Sequence, residues 1–457
     1  MATVSGMTVQ EVRDRPSAGA TVESAEFDAA FAALLKRVRL GTIDRENDRK
    51  LLFEEVAELR TLGFASLRLP GSLGGGGVGL EDFFGRLIDL AAADPSLAHL
   101  YRGHIAFVEG LLLDGIGTGR PLTEHEGRWV ARLAAGDLVG NAQSERQDTS
   151  EITTTLERDG DDVFVTGTKY YTTGSIYADW IHLSALDGDE RVGVTADASH
   201  AAVRSIDDWD GFGQLLTGSG TTTFDRAPID PADIVARGAD GDDGRQHYLA
   251  GVFQLVLLAV VAGIAQAALA DTIAFVRPRR RIFGFPGETP PREDALVQSI
   301  VGGLSAAASA ARAIVLQTAR ALGTALDRQV AGVADQHELR DAMLEAFRAQ
   351  QVVLPLVLGA VTELFEVGGA SAVGRGFALD RHWRNVRTIA SHNPAVQRRR
   401  ALGQFELNGT LPEWRAAGAA KAPGPEAADA TAPGTGASAP EASDTEPVDA
   451  STKESRA

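Results

Sequence analysis

Two histidines and a few amide and hydroxyl side chains carry the candidate chemistry of this sequence. His392 closes a polar run, Leu379-Asp380-Arg381-His382-Trp383-Arg384-Asn385-Val386-Arg387-Thr388-Ile389-Ala390-Ser391-His392-Asn393-Pro394. An imidazole titrates near neutral pH, so it can give or take a proton during a reaction. No glutamate stands between Glu366 and Glu406, so this stretch offers no glutamate base. Taken alone, His392 also reads as a helix-end residue stopped by Pro394. His104, in Tyr101-Arg102-Gly103-His104, is a second candidate. Amide and hydroxyl groups gather in Gly-Asn-Ala-Gln-Ser-Glu at 140–145 and in Gly-Thr-Lys-Tyr-Tyr-Thr-Thr-Gly at 167–174. Each alone is a polar loop or a strand end. Arginines at 279–281 precede Phe283-Gly284. Arginine suits phosphate recognition, and a solvated basic loop is the equal alternative.

Other chemistries are excluded by what is missing. The 457 residues contain no cysteine, which removes disulfides, thiolate metal sites and a cysteine nucleophile. There is no His-Glu-x-x-His and no Gly-x-Ser-x-Gly, so a protein-held metal and a serine hydrolase are not expected. The glycines at 74–77 lack a following Lys-Ser/Thr and read as a turn between helices. A formal charge of −18 argues against a nucleic-acid partner, whose footprint is basic.

The elements that must position these residues fall into a pattern. Residues 1–22 are polar and loose. Residues 23–135 show helical spacing, as in Phe27, Ala30, Phe31, Leu34, Leu35 and Val38. Residues 136–240 hold short Thr-, Val- and aromatic-rich segments at 153–157, 163–166, 180–186, 192–195 and 221–224, separated by turns such as Asp159-Gly160. That predicts a small antiparallel β domain. Residues 241–415 return to long Ala- and Leu-rich helices at 249–276, 295–322 and 339–366, the pattern of a bundle. The apolar stretch 249–270 is long enough for a bilayer. Its two glutamines, two glycines and missing basic flank favour a buried bundle helix, so no membrane partner is expected and a cytoplasmic location is. Residues 416–457 have no aromatic and are expected to be disordered. The fold class is therefore α+β.

Six short motifs in order carry a resemblance. They are Leu-Pro-Gly-Ser-Leu-Gly-Gly at 69–75, Ala-Asp-Pro-Ser-Leu-Ala at 93–98, the segments at 140–145 and 167–174, Ala-Asp-Trp at 178–180, and Gly-Ser-Gly-Thr-Thr-Thr-Phe-Asp at 218–225. This series resembles the acyl-CoA dehydrogenase superfamily across about residues 25–410. The resemblance implies an N-terminal helical domain, a central antiparallel β domain and a C-terminal four-helix bundle, with flavin between the last two. It also implies that Asn141, Ser144, Tyr171, Thr172 and Thr173 line the isoalloxazine ring. Tyr171 would give an aromatic face, and Thr173, Asn141 and Ser144 the hydrogen bonds. Arg281 would reach the cofactor of a neighbouring subunit.

The sequence departs from a dehydrogenase where that family keeps its glutamate base, since the Ser391-His392 region occupies the position. Leu-Asp-Arg-His-Trp-Arg-Asn-x-Arg-Thr-x-x-x-His-Asn-Pro resembles instead the flavin-dependent monooxygenase branch, which includes dibenzothiophene monooxygenases and sulfur-acquisition oxygenases. That branch implies reduced FMN (alternatively FAD) supplied by a separate NAD(P)H:flavin reductase, with molecular oxygen as co-substrate. A C4a-hydroperoxyflavin would pass one oxygen to a small sulfur, nitrogen or activated-carbon nucleophile. His392 and, as a second pocket histidine, His104 would be the catalytic residues. The apolar faces at 249–270 and 295–322 exceed what one core covers and predict a homotetramer. Two alternatives stand: an acyl-CoA dehydrogenase that holds FAD with its base elsewhere, and a catalytically silent scaffold subunit.

Overall fold

A computed structural model describes residues 24–146, 152–236, 243–280, 289–335 and 337–412. All lie in the compact unit Met1–Gly418. The segments expected to be loose, 1–22 and 416–457, lie outside the described residues.

Among the described residues six α-helices come first: α1 (Ser24–Asp48), α2 (Phe53–Thr61), α3 (Leu80–Ala93), α4 (Pro95–Leu100), α5 (Arg102–Leu113) and α6 (Glu124–Ala134). The spacing read in the sequence is the buried face of α1, where Phe27, Phe31, Leu34 and Val38 enter the core. Thr123 and Glu126 form a reciprocal capping box that starts α6. The glycine run at 74–77 is a turn whose four amide groups already donate to Gly71, Pro70, Ser66 and Leu69 carbonyls. None remains to cradle a phosphate.

One sheet follows, made of β1 (Val139–Ala142), β2 (Thr155–Asp159), β3 (Asp162–Lys169), β4 (Trp180–Asp187), β5 (Glu190–Asp197), β6 (Val203–Ser205), β7 (Thr222–Ile229) and β8 (Val235–Ala236). Its order is β6-β7-β3-β2-β4-β5-β8, with β1 also on β4. The pairs β2–β3, β3–β7, β4–β5, β5–β8 and β6–β7 are antiparallel. The short β1 instead runs parallel to β4, from Val139↔Trp180 to Ala142↔Leu183. Beyond it, β2 meets β4 in parallel only at Thr155↔Leu186. The sheet has its own apolar core, including Val165, Ile181, Leu183, Val194 and Ala227.

The bundle comprises α7 (Asp243–Val276), α8 (Ala295–Val330), α9 (Glu338–Glu363), α10 (Asp380–His392) and α11 (Ala395–Asn408). Every residue from Leu255 to Ala262 is buried. A helix apolar on all sides must sit inside other helices, and α7 packs against α3, α8 and α9. By length and composition α7, α8 and α9 could each cross a membrane, but most of the apolar stretch of α7 is buried within the protein. The N-terminal helices and the bundle share one continuous core.

Candidate functional site

The site is built where α4, α5, α7 and α10 meet the ends of β1 and β3. The Asp-Pro pair at 94–95 sets its first wall. Asp94 Oδ1 accepts the Ser96 and Leu97 amides at 3.1 and 3.3 Å, and Pro95 takes the first helical position, where its missing N–H costs nothing. Asp94 Oδ2 binds Thr42 and Arg45 at 3.0 and 3.1 Å. This anchored short helix carries His99 into the interior.

A relay of amides fixes the His99 ring. Asn385 of α10 donates through Nδ2 to Glu46 at 3.1 Å. Its Oδ1 accepts the Gln214 main-chain amide at 2.6 Å and Gln214 Nε2 at 3.1 Å. Gln214 Oε1 therefore faces His99 Nδ1, 3.0 Å away. An acceptor there requires the proton on Nδ1, which leaves Nε2 as a lone pair in the neutral ring. Nε2 is buried and has no hydrogen-bond partner among the described residues.

His392 is wired in the same sense. Asn393 donates through Nδ2 to Gln254 of α7 at 2.9 Å. Its Oδ1 lies 3.2 Å from His392 Nδ1, so this ring too presents Nε2 as an acceptor. The two rings stand edge to face with centroids 6.1 Å apart. Arg102, at the start of α5, lies close enough that its charge acts on both. Burial first, then Arg102, pushes His99 down to about 4. His392 keeps solvent-exposed surface, yet the protein around it strips enough hydration that burial, then Arg102 and His99, pushes it down to about 3. Both rings are neutral at physiological pH. The sequence left open whether His392 gives or takes a proton; with Nδ1 turned to Asn393, its Nε2 is the acceptor.

The second wall comes from the strand ends. Asn141 lies on β1, buried, with no protein partner for its side-chain amide among the described residues. Helix α5 reaches it at Gly103, where a Cβ would stand 2.5 Å from the Asn141 Cβ. Ser144 is exposed and pairs through its backbone with Tyr170. Tyr171 is 46% exposed and sits at φ 63°, with its ring against Tyr170 and Trp209. A recess of about 250 Å³ opens beside these segments, lined by Glu145, Arg146, Thr168, Lys169, Tyr170, Asp208 and Thr221.

The two threonines differ from one another. Thr172 donates to the Gly220 carbonyl at 2.9 Å and accepts from Thr222 at 2.8 Å, so it ties the strand ends together and is removed from the ring-lining set. Thr173 belongs to a directional chain. Thr217 donates to the Gln214 carbonyl at 2.9 Å, Ser219 must then donate to Thr217 at 2.7 Å, and Thr173 to Ser219 at 2.8 Å. Thr173 Oγ1 is left able to accept but not to donate. Gly174, at φ 82°, lets this turn abut the Leu100 carbonyl at the end of α4, where a Cβ would clash.

His104 does not join the pocket. Its Nε2 lies 2.8 Å from the Ala65 carbonyl and its Nδ1 accepts the Val139 amide at 3.3 Å, so both nitrogens are spent on main chain and the expected pocket role is corrected. Arg281, with Phe283-Gly284, lies outside the described residues. Trp383 stacks on Phe212, and Arg384 bonds Glu46 and Asp380 at 2.9 and 2.8 Å. The residues that sequence reasoning missed are His99, Arg102, Gln214 and Asn385. Only His99 had a local signal, since Asp-Pro marks a helix start four residues before it.

Comparison with known proteins agrees with this architecture. The family model for the acyl-CoA dehydrogenase C-terminal domain matches residues 255–397. A dibenzothiophene monooxygenase of Mycolicibacterium goodii is 26% identical over 394 residues, covering 83% of this chain and 93% of its own. A probable FMNH2-dependent monooxygenase of Pseudomonas putida is 26% identical over 78% of this chain and 88% of its own. Among solved structures, the complex of TdsC from Paenibacillus sp. A11-2 with FMN and indole superposes with a TM-score of 0.76, at 25% identity, over 85% of this chain and 98% of that one. Over more than four fifths of its length the chain is thus similar to flavin-dependent monooxygenases, and its C-terminal part matches the acyl-CoA dehydrogenase family model.

Proposed function

We propose that this chain is a two-component monooxygenase. It takes reduced FMN from a separate NAD(P)H:flavin reductase and uses dioxygen to place one oxygen atom on a small organic nucleophile, the other leaving as water. The observation that carries this reading is the pair of neutral imidazoles, His99 with a buried, unpartnered Nε2 and His392 with Nδ1 turned to Asn393 so that Nε2 is left to accept. A dehydrogenase needs a carboxylate to take the proton beside its thioester, and the segment where that branch keeps it offers His392 instead.

The residues present fit a flavin. Asn141 has an amide without a protein partner, Ser144 an exposed hydroxyl and Tyr171 an exposed aromatic ring. Thr173 Oγ1, restricted to accepting, suits the N–H that a flavin carries only when reduced. Reduced flavin, when bound, supplies the two electrons that activate dioxygen. Asn141 and Ser144 hold the polar edge of the ring, and Tyr171 covers a face. His99 and His392 accept protons at Nε2. The α7 side, with buried Gln254 and half-buried Phe253, limits water.

The reading includes a homotetramer. Leu296 and Val352 stand 76% and 50% exposed on α8 and α9, and a second copy would cover such faces. Light scattering that gives a monomer mass at micromolar concentration rejects that part.

The deciding experiment supplies a flavin reductase, NADH and FMN, and screens sulfur, amine and phenol compounds for an oxygenated product. Product that carries ¹⁸O from ¹⁸O₂ is expected. A protein that purifies yellow with tightly held FAD and oxidises an acyl-CoA without oxygen incorporation overturns the reading in favour of a dehydrogenase. Absence of any flavin affinity favours a scaffold.

A further inference from the structure

Arg102 is a buried cation with no counter-charge among the described residues. Its side chain is more than nine-tenths buried. Nε donates to the Phe253 carbonyl at 3.2 Å, and the guanidinium lies 4.4 Å from the Phe253 ring centroid. Neither terminal nitrogen has a protein acceptor, and no carboxylate pairs with Arg102 among the described residues. Among the described residues, every other arginine buried to this degree is paired: Arg45 with Glu55 and Asp94, Arg60 with Asp179, and Arg381 with Asp271. Burying an ion costs several kcal/mol unless something compensates it, and a cation–π contact of roughly 2 kcal/mol leaves most of that unmet. The neighbours cannot help, because His99 and His392 are neutral and expose lone pairs rather than charge.

Three features direct this cation at the reaction site. Arg102 follows His99 by three residues on the continuing helical path, so both project to one side. Phe253, which it covers, precedes Gln254, which holds Asn393 and through it His392. Gly103, next in sequence, is pressed against Asn141. A guanidinium offers two parallel donors that match a carboxylate or sulfinate head.

We propose that the terminal nitrogens of Arg102 hold the oxyanion head of a compact organic anion, which is the substrate class of this site. The proposal rests on the monooxygenase reading for the word substrate, and on the unpaired cation for the anion. The same positive charge could serve the flavin's own phosphate, so the test separates the two sources.

Calorimetry on the full chain without flavin compares benzenesulfinate and benzoate with the uncharged methyl phenyl sulfoxide and benzamide. The anions are expected to bind and the neutral analogues to bind at least tenfold more weakly. Arg102→Met, which keeps length and removes charge, should weaken anion binding by about 10- to 100-fold. Arg102→Lys should restore part of it, and added chloride should compete in the wild type only. A second titration compares FMN with riboflavin. An Arg102→Met loss confined to FMN, with anion binding intact, overturns the proposal and assigns Arg102 to the flavin phosphate. Equal affinity for anions and neutral analogues in the wild type overturns it as well. If Arg102→Met does not fold, the Arg102→Lys and chloride results decide. Because these measurements need no turnover, anion binding without any oxygenated product would sink the monooxygenase reading and leave the anion site standing.

Discussion

The two walls of the site use their polar groups in opposite ways. On the strand-end wall, Thr222, Thr172, Thr173, Ser219 and Thr217 hand hydrogen bonds along until they end on the Gly220 and Gln214 carbonyls. On the helical wall, His99 Nε2 is buried without a partner, and the terminal nitrogens of Arg102 have no protein acceptor among the described residues. Buried polar groups are normally paired. A satisfied network holds shape, and an unsatisfied one marks where a ligand completes the pairing. Gln214 joins the two, since its carbonyl terminates the hydroxyl chain while its side chain aims His99.

The strongest way to break this contrast is to remove the open groups. His392→Ala and His99→Ala should each lower oxygenated product by about 10²–10⁴-fold, while NADH is still consumed and hydrogen peroxide accumulates. Chromatography of product beside a peroxide assay checks this, and near wild-type coupling in both variants would make the imidazoles structural.

A smaller effect is expected from loosening the aim. Asn385→Leu removes the acceptor that orients Gln214 and should cut turnover by up to about a hundredfold with flavin affinity little changed. Stopped-flow measurements of flavin binding and of product formation separate the two quantities.

The strand-end wall should respond more mildly. Asn141→Ala and Thr173→Val should each weaken reduced FMN about five- to tenfold, the worth of one neutral hydrogen bond. Thr172→Val should leave that affinity within about twofold and lower stability instead. Anaerobic titration tests all three, and a Thr172 effect on flavin larger than that of Thr173 would invert the assignment.

His104 sharpens the comparison from the side of stability. His104→Phe strands the Val139 amide and should cost about 1–3 kcal/mol, with turnover per folded molecule preserved. Burial holds both His99 and His104 down to about 4, whereas an unfolded histidine titrates near 6.5. Between those values only the unfolded chain takes up the protons. Stability is therefore full above about pH 6.5 and falls on acidification toward pH 4, by about 1 kcal/mol per pH unit for each ring. Urea midpoints at pH 7 and pH 5 check the sign, and His104→Phe should flatten the slope.

What could be read in advance follows from how local each feature is. The core face of α1 and the all-apolar α7 are periodic, and period is visible in sequence. Strand β1 is not, because Val139–Ala142 is short and buried at every position, so it never alternates. His392 was legible from its flanking run. The direction of its proton was not, since that depends on Asn393 being turned by Gln254, 139 residues away. His99 stood beside a quoted motif, but its orientation comes from Gln214 and Asn385, set 171 residues apart and joined only by folding. His104 misled because a histidine used to satisfy main chain looks the same in sequence as one left open.

The all-round burial of α7 has a consequence for biosynthesis. This helix leaves the ribosome before α8 and α9, two of the helices that pack most extensively on it. At about 5–20 residues per second, translation of those partners takes on the order of ten seconds. For that interval the nascent chain presents an apolar segment long enough to be mistaken for a membrane anchor. Only α3, α4 and α5 among the helices packed on it are already synthesised, and they shield one side of it. Yield in the cell is therefore expected to depend on holdase chaperones acting on residues 249–270 more than on any property of the finished fold.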